Sequence, residues 1–179
     1  MLNHRRLGPV ALMALLGTPL AVSARAQNRT DRFPLTQLNA TFCAKGRLQD
    51  CDWGDPVMRE VLSRGKDAIP ILISQLTDSA RSKQQVFQFW NATSSGDIAY
   101  IILIDLFTDS DWKTFNMPGV PDWRTINKGC DMGAETCWRE YLRHHGRESV
   151  QRAWLQAWSR HKDQVFWDSK SLCFRIVKE

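Results

Sequence analysis

Four aspartates near the middle of the chain are the residues whose types and spacing best suit chemistry: Asp97, Asp105, Asp109 and Asp111. Paired carboxylates can act as general acid and base in glycoside cleavage, and they can also bind a cation. Asp97, however, stands where a helix is expected to begin, and an aspartate there typically caps the helix. The run Asp109-Ser110-Asp111 lacks the further ligands and the glycine of a calcium loop. The sequence therefore assigns no catalytic residue, no metal site and no cofactor.

Other candidate catalytic groups are also better explained as parts of helices. A cell-wall hydrolase is kept as an alternative, and it would use either acids from 97–111 or Glu135 and Glu140, with a tryptophan platform for the polymer. His144-His145 lies in the predicted last turn of a helix, where positive charge interacts favourably with the helix dipole. The chain contains no glycine-rich phosphate loop, no G-x-S-x-G elbow and no H-E-x-x-H motif.

A long segment rich in turn-forming residues is the best candidate for a binding region. Residues 108–133 include Met117-Pro118-Gly119 and other turn signals, so an irregular loop is expected. Loops this long are uncommon inside a compact domain, and long loops on a rigid scaffold often carry function. The segment contains Trp112, Phe115 and Trp123, which are the predicted binding residues. The chain has eight tryptophans, and several recur at helical core spacing, which predicts packing between helices.

The N-terminus has the three parts of an export signal. Arg5 and Arg6 form a basic start, an apolar run covers residues 7–22, and Ala24-Arg25-Ala26 has the shape of a signal-peptidase site. The apolar run is shorter than the ~20 residues of a membrane span. We therefore expect a signal peptide over 1–26, no transmembrane span after its cleavage, and a periplasmic or secreted protein. A retained N-terminal anchor is the alternative.

Cleavage at this point changes the charge balance. The whole chain carries a net charge of +5, whereas residues 27–179 contain 21 basic and 19 acidic residues. A net charge of +2 with both signs interspersed is not the footprint of a nucleic-acid-binding protein. We expect no nucleic-acid partner.

The five cysteines suit an oxidising compartment. Cys43 and Cys51 are eight residues apart, Cys130 and Cys137 are seven apart, and Cys173 stands alone near the C-terminus. Two short-range disulfides and an unpaired Cys173 are the simplest arrangement, although the sequence permits other pairings, including one that uses Cys173. Each short loop closure should stabilise the fold by about 2.6 kcal/mol. The spacings match no short C-x-x-C zinc knuckle, and no local signature marks a cysteine nucleophile.

Capping residues delimit two short helices after an N-terminal arm, residues 27–52. Asp55 is a suitable N-cap, Pro56 suits the first helical position, and Gly65 suits the C-terminal end. Asp67 is predicted to cap a second helix, in which apolar residues recur at helical spacing. Two short helices joined this tightly are predicted to pack as an antiparallel αα-hairpin.

The stretch GKDAIPILISQL, residues 65–76, resembles the second helix of a HEAT-type repeat. Gly54-Asp55 opens the first helix, and Gly96-Asp97 opens the apolar run Ile98 to Phe107, 42 residues later. That offset lies within the ~40–47-residue period of HEAT and armadillo repeats. The resemblance covers roughly residues 54–107. It implies a stacked helical scaffold that binds partners on one face, and it implies no catalytic residues.

The predicted fold is mainly α: a single helical domain over residues 53–179, built as a compact HEAT-like array of about five helices. The run 98–107 is apolar nearly all round, which predicts the most buried helix. Two further helices follow, the first ending at Gly146 and the second near His161. A small C-terminal β-hairpin is expected after them, with Leu172, Phe174 and Ile176 on one strand face and Cys173 on the other.

These patterns favour an exported, disulfide-stapled helical domain that has no catalytic activity and binds an envelope or extracellular protein. A cell-wall-directed hydrolase that uses acids near 97–111, with wall polymer as its ligand, is one alternative. A secreted inhibitor or immunity-type protein, whose loop blocks a partner's active site, is the other.

Overall fold

The computed structural model describes residues 32–38, 55–83 and 93–177. The expected signal segment 1–26 and the pair Cys43 and Cys51 lie outside these ranges, so both remain predictions. Within the described ranges, no helix combines the length and the apolar character that crossing a bilayer requires.

The helical part begins with α1, Pro56–Arg64, whose start is the one predicted. The side chain of Asp55 accepts hydrogen bonds from the backbone N–H groups of Val57 and Met58, at 2.8 and 3.1 Å. These two bonds satisfy donors that have no partner within the helix. Val57 and Met58 are also buried, so the cap and the apolar face of α1 are fixed together.

The link between α1 and α2, Ala68–Gln75, differs from the prediction. Asp67 stands at the N-cap position of α2, but it has helical backbone angles and its side chain makes no capping hydrogen bond. A 3-10 turn over Gly65–Asp67 runs directly into α2 instead. Gly65 provides the positive φ, 53°, that this junction requires.

Helix α3, Ser95–Phe107, is the centre of the fold, as its composition predicted. Twelve of its 13 residues are buried, and it contacts α2, strand β2 (Cys173–Ile176) and a 3-10 turn at Leu35–Gln37. Gly96 allows its first turn to lie against the end of α2, since a Cβ at this position would lie 2.3 Å from the carbonyl oxygen of Leu76.

Three helices and a hairpin complete the described structure: α4, Trp123–Ile126; α5, Ala134–His145; α6, Arg147–His161; and strands β1, Val165–Asp168, and β2. Gly146 ends α5 and precedes α6, with a φ of 74°. The strands are antiparallel, with Val165 opposite Ile176. The prediction of about five helices and a C-terminal β-hairpin is confirmed, with α4 as an additional single turn.

One detail of the predicted hairpin is wrong. Leu172 belongs to the turn, where it has a φ of 52° and is 42% exposed, and it does not share a strand face with Phe174. Cys173 and Phe174 point to opposite faces of β2 because they are consecutive, yet both are buried. The hairpin is therefore covered on both sides at this point.

The described part of the N-terminal arm is a core element. Phe33, Leu35 and Leu38 are each at most 2% exposed. Gln75 of α2 holds this segment, because its side chain accepts from the Phe33 N–H and donates to the Phe33 carbonyl, both at 2.9 Å. Arg32 adds an ion pair with Asp78 at 2.5 Å.

A disulfide joins Cys130 to Cys137, which confirms this predicted pair. It ties the end of the 108–133 segment to the first turns of α5. Cys173 is a free, buried thiol. Burial raises the pKa of Cys173 to about 11, so the thiol stays protonated at neutral pH and is not an activated nucleophile.

Replacing Cys130 and Cys137 together with alanine should lower the free energy of unfolding by about 2.6 kcal/mol. The physical reason is the added freedom of the unfolded chain. Urea denaturation of the two oxidised proteins measures the difference. A reductant is avoided because it would also act on any bridge between Cys43 and Cys51. An unchanged unfolding midpoint would contradict a stabilising role for this bond.

Candidate functional site

The three aromatic residues predicted to bind a partner surround one small surface pocket. Trp112, Phe115 and Trp123 line a depression of about 40 Å³, to which Ile104 and Thr108 also contribute. The segment around them is less irregular than predicted, since it contains α4 and an isolated bridge between Thr108 and Phe115. The structure thus brings together three side chains that the sequence only placed in the same loop.

Trp112 lies in a turn that Asp109 organises. One Asp109 carboxylate oxygen accepts from the N–H groups of Lys113 and Thr114, at 2.7 and 3.0 Å. The Asp109 carbonyl accepts from the Trp112 N–H, and the Asp109 N–H donates to the Thr114 carbonyl, both at 3.0 Å. Partial burial favours the neutral acid, but these hydrogen bonds outweigh it and lower the pKa of Asp109. Asp109 is therefore a structural carboxylate that fixes the backbone on either side of the indole.

Neighbouring residues close the base of this turn. The Asn116 N–H donates to the carbonyl of Phe107, the last residue of α3, at 2.8 Å. The Arg124 guanidinium of α4 donates to the Lys113 carbonyl. The loop is thus held to α3 on one side and to α4 on the other.

Trp112 has an uncommon backbone conformation. Its φ is 60°, and among the described residues Leu172 is the only other non-glycine residue with a positive φ. The left-handed region costs an L-residue about 1–2 kcal/mol. The Trp112 side chain is nevertheless 42% exposed, so this strain is not offset by complete burial. The surrounding hydrogen bonds hold a large apolar side chain at the surface.

Phe115 and Trp123 are anchored differently from Trp112. Phe115 lies edge-on to the buried Trp154, with ring centroids 6.2 Å apart, and Trp123 lies edge-on to Tyr100 of α3 at 5.5 Å. The Tyr100 hydroxyl donates to the carbonyl of Pro121 at 2.8 Å. These two partly buried side chains therefore shape the pocket, and Trp112 is the one that projects.

The carboxylate of Asp97 accepts four hydrogen bonds at the start of α3. Its Oδ1 accepts from Trp138 Nε1 at 2.8 Å and from the Arg147 guanidinium at 2.6 Å. Its Oδ2 accepts from the Ser94 N–H at 2.8 Å and hydroxyl at 2.7 Å, which completes a capping box at the start of α3. Burial alone raises the pKa of Asp97, but Arg147 and the hydrogen bonds from Ser94 and Trp138 outweigh it and lower the pKa below 3.8.

The other acids that a hydrolase would use are also held in ion pairs or buried. Glu135 pairs with Arg139 and Glu140 pairs with Arg143, both within α5 and at 2.5 Å. The hydrogen bond from Arg143 contributes most to lowering the pKa of Glu140 to about 2, so this carboxyl is ionised and cannot donate a proton near neutral pH. Asp105 is buried in α3. The described residues contain no group of three or more histidine, cysteine or acidic side chains that could hold a metal ion.

The side-chain partners of Asp97 in α5 and α6 were not predicted from the sequence. Arg147 is 50 residues away along the chain and Trp138 is 41 away, and no local pattern links residues at such distances. The capping box itself had a usable signal, because Ser94 precedes Asp97 by three residues.

Comparison with known proteins adds no assignment to these observations. No protein-family model, no curated protein and no solved structure matches the chain.

Replacing Asp97 with asparagine should destabilise the fold at pH 7 by about 1.5–3 kcal/mol, the range for hydrogen bonds to a charged group. The pKa of Asp97 is lower in the folded than in the unfolded protein, so its contribution is complete above pH 3.8. It is lost as the pH falls through the lower, folded-state pKa, and the two proteins should then converge. Urea denaturation across pH 2–7 measures this convergence.

Asp111→Asn is the matched control, because Asp111 is exposed and forms its ion pair with the exposed Lys113, at 2.8 Å. Such a surface pair contributes about 0–1 kcal/mol. A gap between the wild type and Asp97→Asn that stays constant with pH, or a large effect of Asp111→Asn, would contradict this assignment.

Proposed function

We propose that this protein is an exported helical domain without catalytic activity that binds another protein of the envelope or extracellular space. The contact is assigned to the Trp112 surface, defined as Trp112, Phe115 and Trp123 with the flanking Asp111, Lys113 and Arg124. The observation that carries the proposal is the exposed indole of Trp112. The backbone of Trp112 has a φ of 60°, and hydrogen bonds around Asp109 hold it in this conformation. Backbone strain of this kind is typical of functional sites.

The fixed position of Trp112 is what makes it suitable for a protein contact. Tryptophan is enriched among the few residues that dominate binding energy at interfaces, because one indole can bury a large area. A loop that is already ordered loses less conformational entropy when it binds. Trp112 satisfies both conditions. Its side chain is accessible, and the backbone N–H groups of residues 109, 112, 113 and 114 in its loop are all hydrogen-bonded.

The surroundings of Trp112 resemble the layout of a protein interface. Asp111 and Lys113, on either side of it in sequence, form an exposed ion pair. Arg124 provides a further positive charge beside the pocket. Protein interfaces commonly combine an aromatic centre with a polar, solvent-accessible rim. The mixed charge of this rim gives a partner groups to pair with and supports specificity more than affinity.

The size of the pocket favours a protein partner over a small substrate. Sites for small molecules usually have volumes of about 300–1,000 Å³. The pocket beside Trp112 has about 40 Å³, which is room for the end of one side chain. Together with the structural roles of Asp97, Asp109 and Glu140, this favours binding over the hydrolysis of a wall polymer.

Export is part of the proposal and rests on two observations. The Cys130–Cys137 disulfide is compatible with an oxidising compartment. The N-terminal segment 1–26 has the pattern of a signal peptide. The HEAT-type resemblance stays a prediction, and in this proposal the helical array serves as the rigid support for the Trp112 surface.

A secreted inhibitor or immunity-type protein is the second candidate, and the same loop favours it. A rigid loop that displays one large side chain can insert into a partner's cleft and occupy it. The identity of the partner separates the two functions: an enzyme that loses its activity in the complex indicates an inhibitor, and any other partner indicates a scaffold.

Two substitutions at Trp112 should separate binding from stability. Trp112→Ala and Trp112→Gly both remove the indole, so both should lose the partner. Glycine adopts a positive φ without a steric penalty, so Trp112→Gly should be the more stable of the two, by about 1 kcal/mol. Urea denaturation checks the stability difference.

Binding is measured by capturing a partner from solubilised envelope proteins with the oxidised wild type, then titrating the purified partner with each variant. Leu155→Ala is the control, because Leu155 is a similarly exposed apolar residue of α6 that is not part of the Trp112 surface. A partner bound equally by the wild type and Trp112→Gly would contradict the proposal. Retention on purified wall polymer without any protein partner would shift support to the hydrolase alternative.

A further inference from the structure

A second, larger pocket lies between α1, α3 and the C-terminal hairpin. Its volume is about 490 Å³, within the range of about 300–1,000 Å³ that is usual for small-molecule sites. Val61 of α1, Leu106 of α3 and Phe174 of β2 line it, and each is at most 4% exposed. The pocket is therefore a mainly apolar depression built on two helices and a hairpin.

The outer edge of this pocket is also apolar. Phe166 and Trp167 of β1 both line it, and each is 44% exposed. Large aromatic side chains left this accessible gain free energy when a ligand covers them. The exposed aromatic edge is thus continuous with the buried apolar surface.

Within the described part of the chain, Lys66 is the one charged residue that lines the pocket. Its ammonium group donates to the carbonyl of Val165 at 3.3 Å, which holds the side chain across to the hairpin. Lys66 forms no ion pair with any acidic side chain in the described ranges. A lysine ammonium has three donors, so this contact leaves donors for a further acceptor. Among the described residues, the pocket combines an apolar lining with one positive charge that has no acidic partner.

We propose that this pocket binds a small amphipathic monoanion, a molecule with an apolar chain and a single carboxylate. The apolar part would lie against Val61, Leu106 and Phe174, and the carboxylate would accept from Lys66. A charge-assisted hydrogen bond of this kind is stronger than a neutral one. The proposal is independent of the Trp112 surface, because the two pockets share no lining residue.

Dodecanoate is the probe, used below its micelle concentration and measured by isothermal titration calorimetry with the oxidised protein. The expected result is one equivalent bound to the wild type. Lys66→Met, which keeps the apolar stem, should weaken the affinity by at least about tenfold. Lys66→Arg should restore most of it because it retains the charge. Lys128→Met is the matched control, since Lys128 is an exposed lysine outside the pocket.

Head-group chemistry provides the second arm of the test. Dodecyltrimethylammonium has the same chain with the opposite charge, and the wild type should bind it at least about tenfold more weakly than dodecanoate. Equal affinity for the two would overturn the proposal, as would unchanged dodecanoate binding by Lys66→Met. Sedimentation analysis tests whether a second copy of the chain occupies the pocket instead. A wild-type dimer that Trp167→Ala dissociates and dodecanoate does not would assign the pocket to a second copy of the chain and also overturn the proposal.

Discussion

Helix α3 has almost no face that can remain in water, and the rest of the structure follows from that constraint. Twelve of its 13 residues are buried, so other elements must cover it on all sides. The N-terminal arm, α2 and β2 all contact it. At its first turn, Asp97 joins α5 through Trp138 and α6 through Arg147. One carboxylate therefore completes the capping box of the central helix and links it to α5 and α6.

The Trp112 surface takes its rigidity from the same helix. The loop begins where α3 ends, and the Phe107 carbonyl accepts from Asn116 to close it. Tyr100 of α3 donates to the Pro121 carbonyl and meets the ring of Trp123. A central helix that is packed on every side can thus hold an exposed, strained Trp112 in place. The apolar pocket beside Lys66 depends on α3 as well, through Leu106.

Local signals made much of the fold predictable. The cap at Asp55, the break at Gly146 and the apolar character of 98–107 each act within a few residues, and each prediction agrees with the structure. The capping role predicted for the Asp67 side chain is absent, because the chain continues from a 3-10 turn directly into α2. The contact of Asp97 with Arg147 was not predictable, since 50 residues separate them and folding alone brings them together.

The most direct test of the central claim, a preformed surface around Trp112 that binds a protein, is amide hydrogen exchange with and without the captured partner. The structure predicts that the amides of Trp112, Lys113 and Thr114 exchange slowly in the free protein, because all three are hydrogen-bonded to Asp109. Binding should slow them further and leave the β-hairpin unchanged. Two results would contradict a preformed binding surface. In the free protein, these amides would exchange as fast as those of an unstructured peptide. In the complex, protection would appear only on another surface.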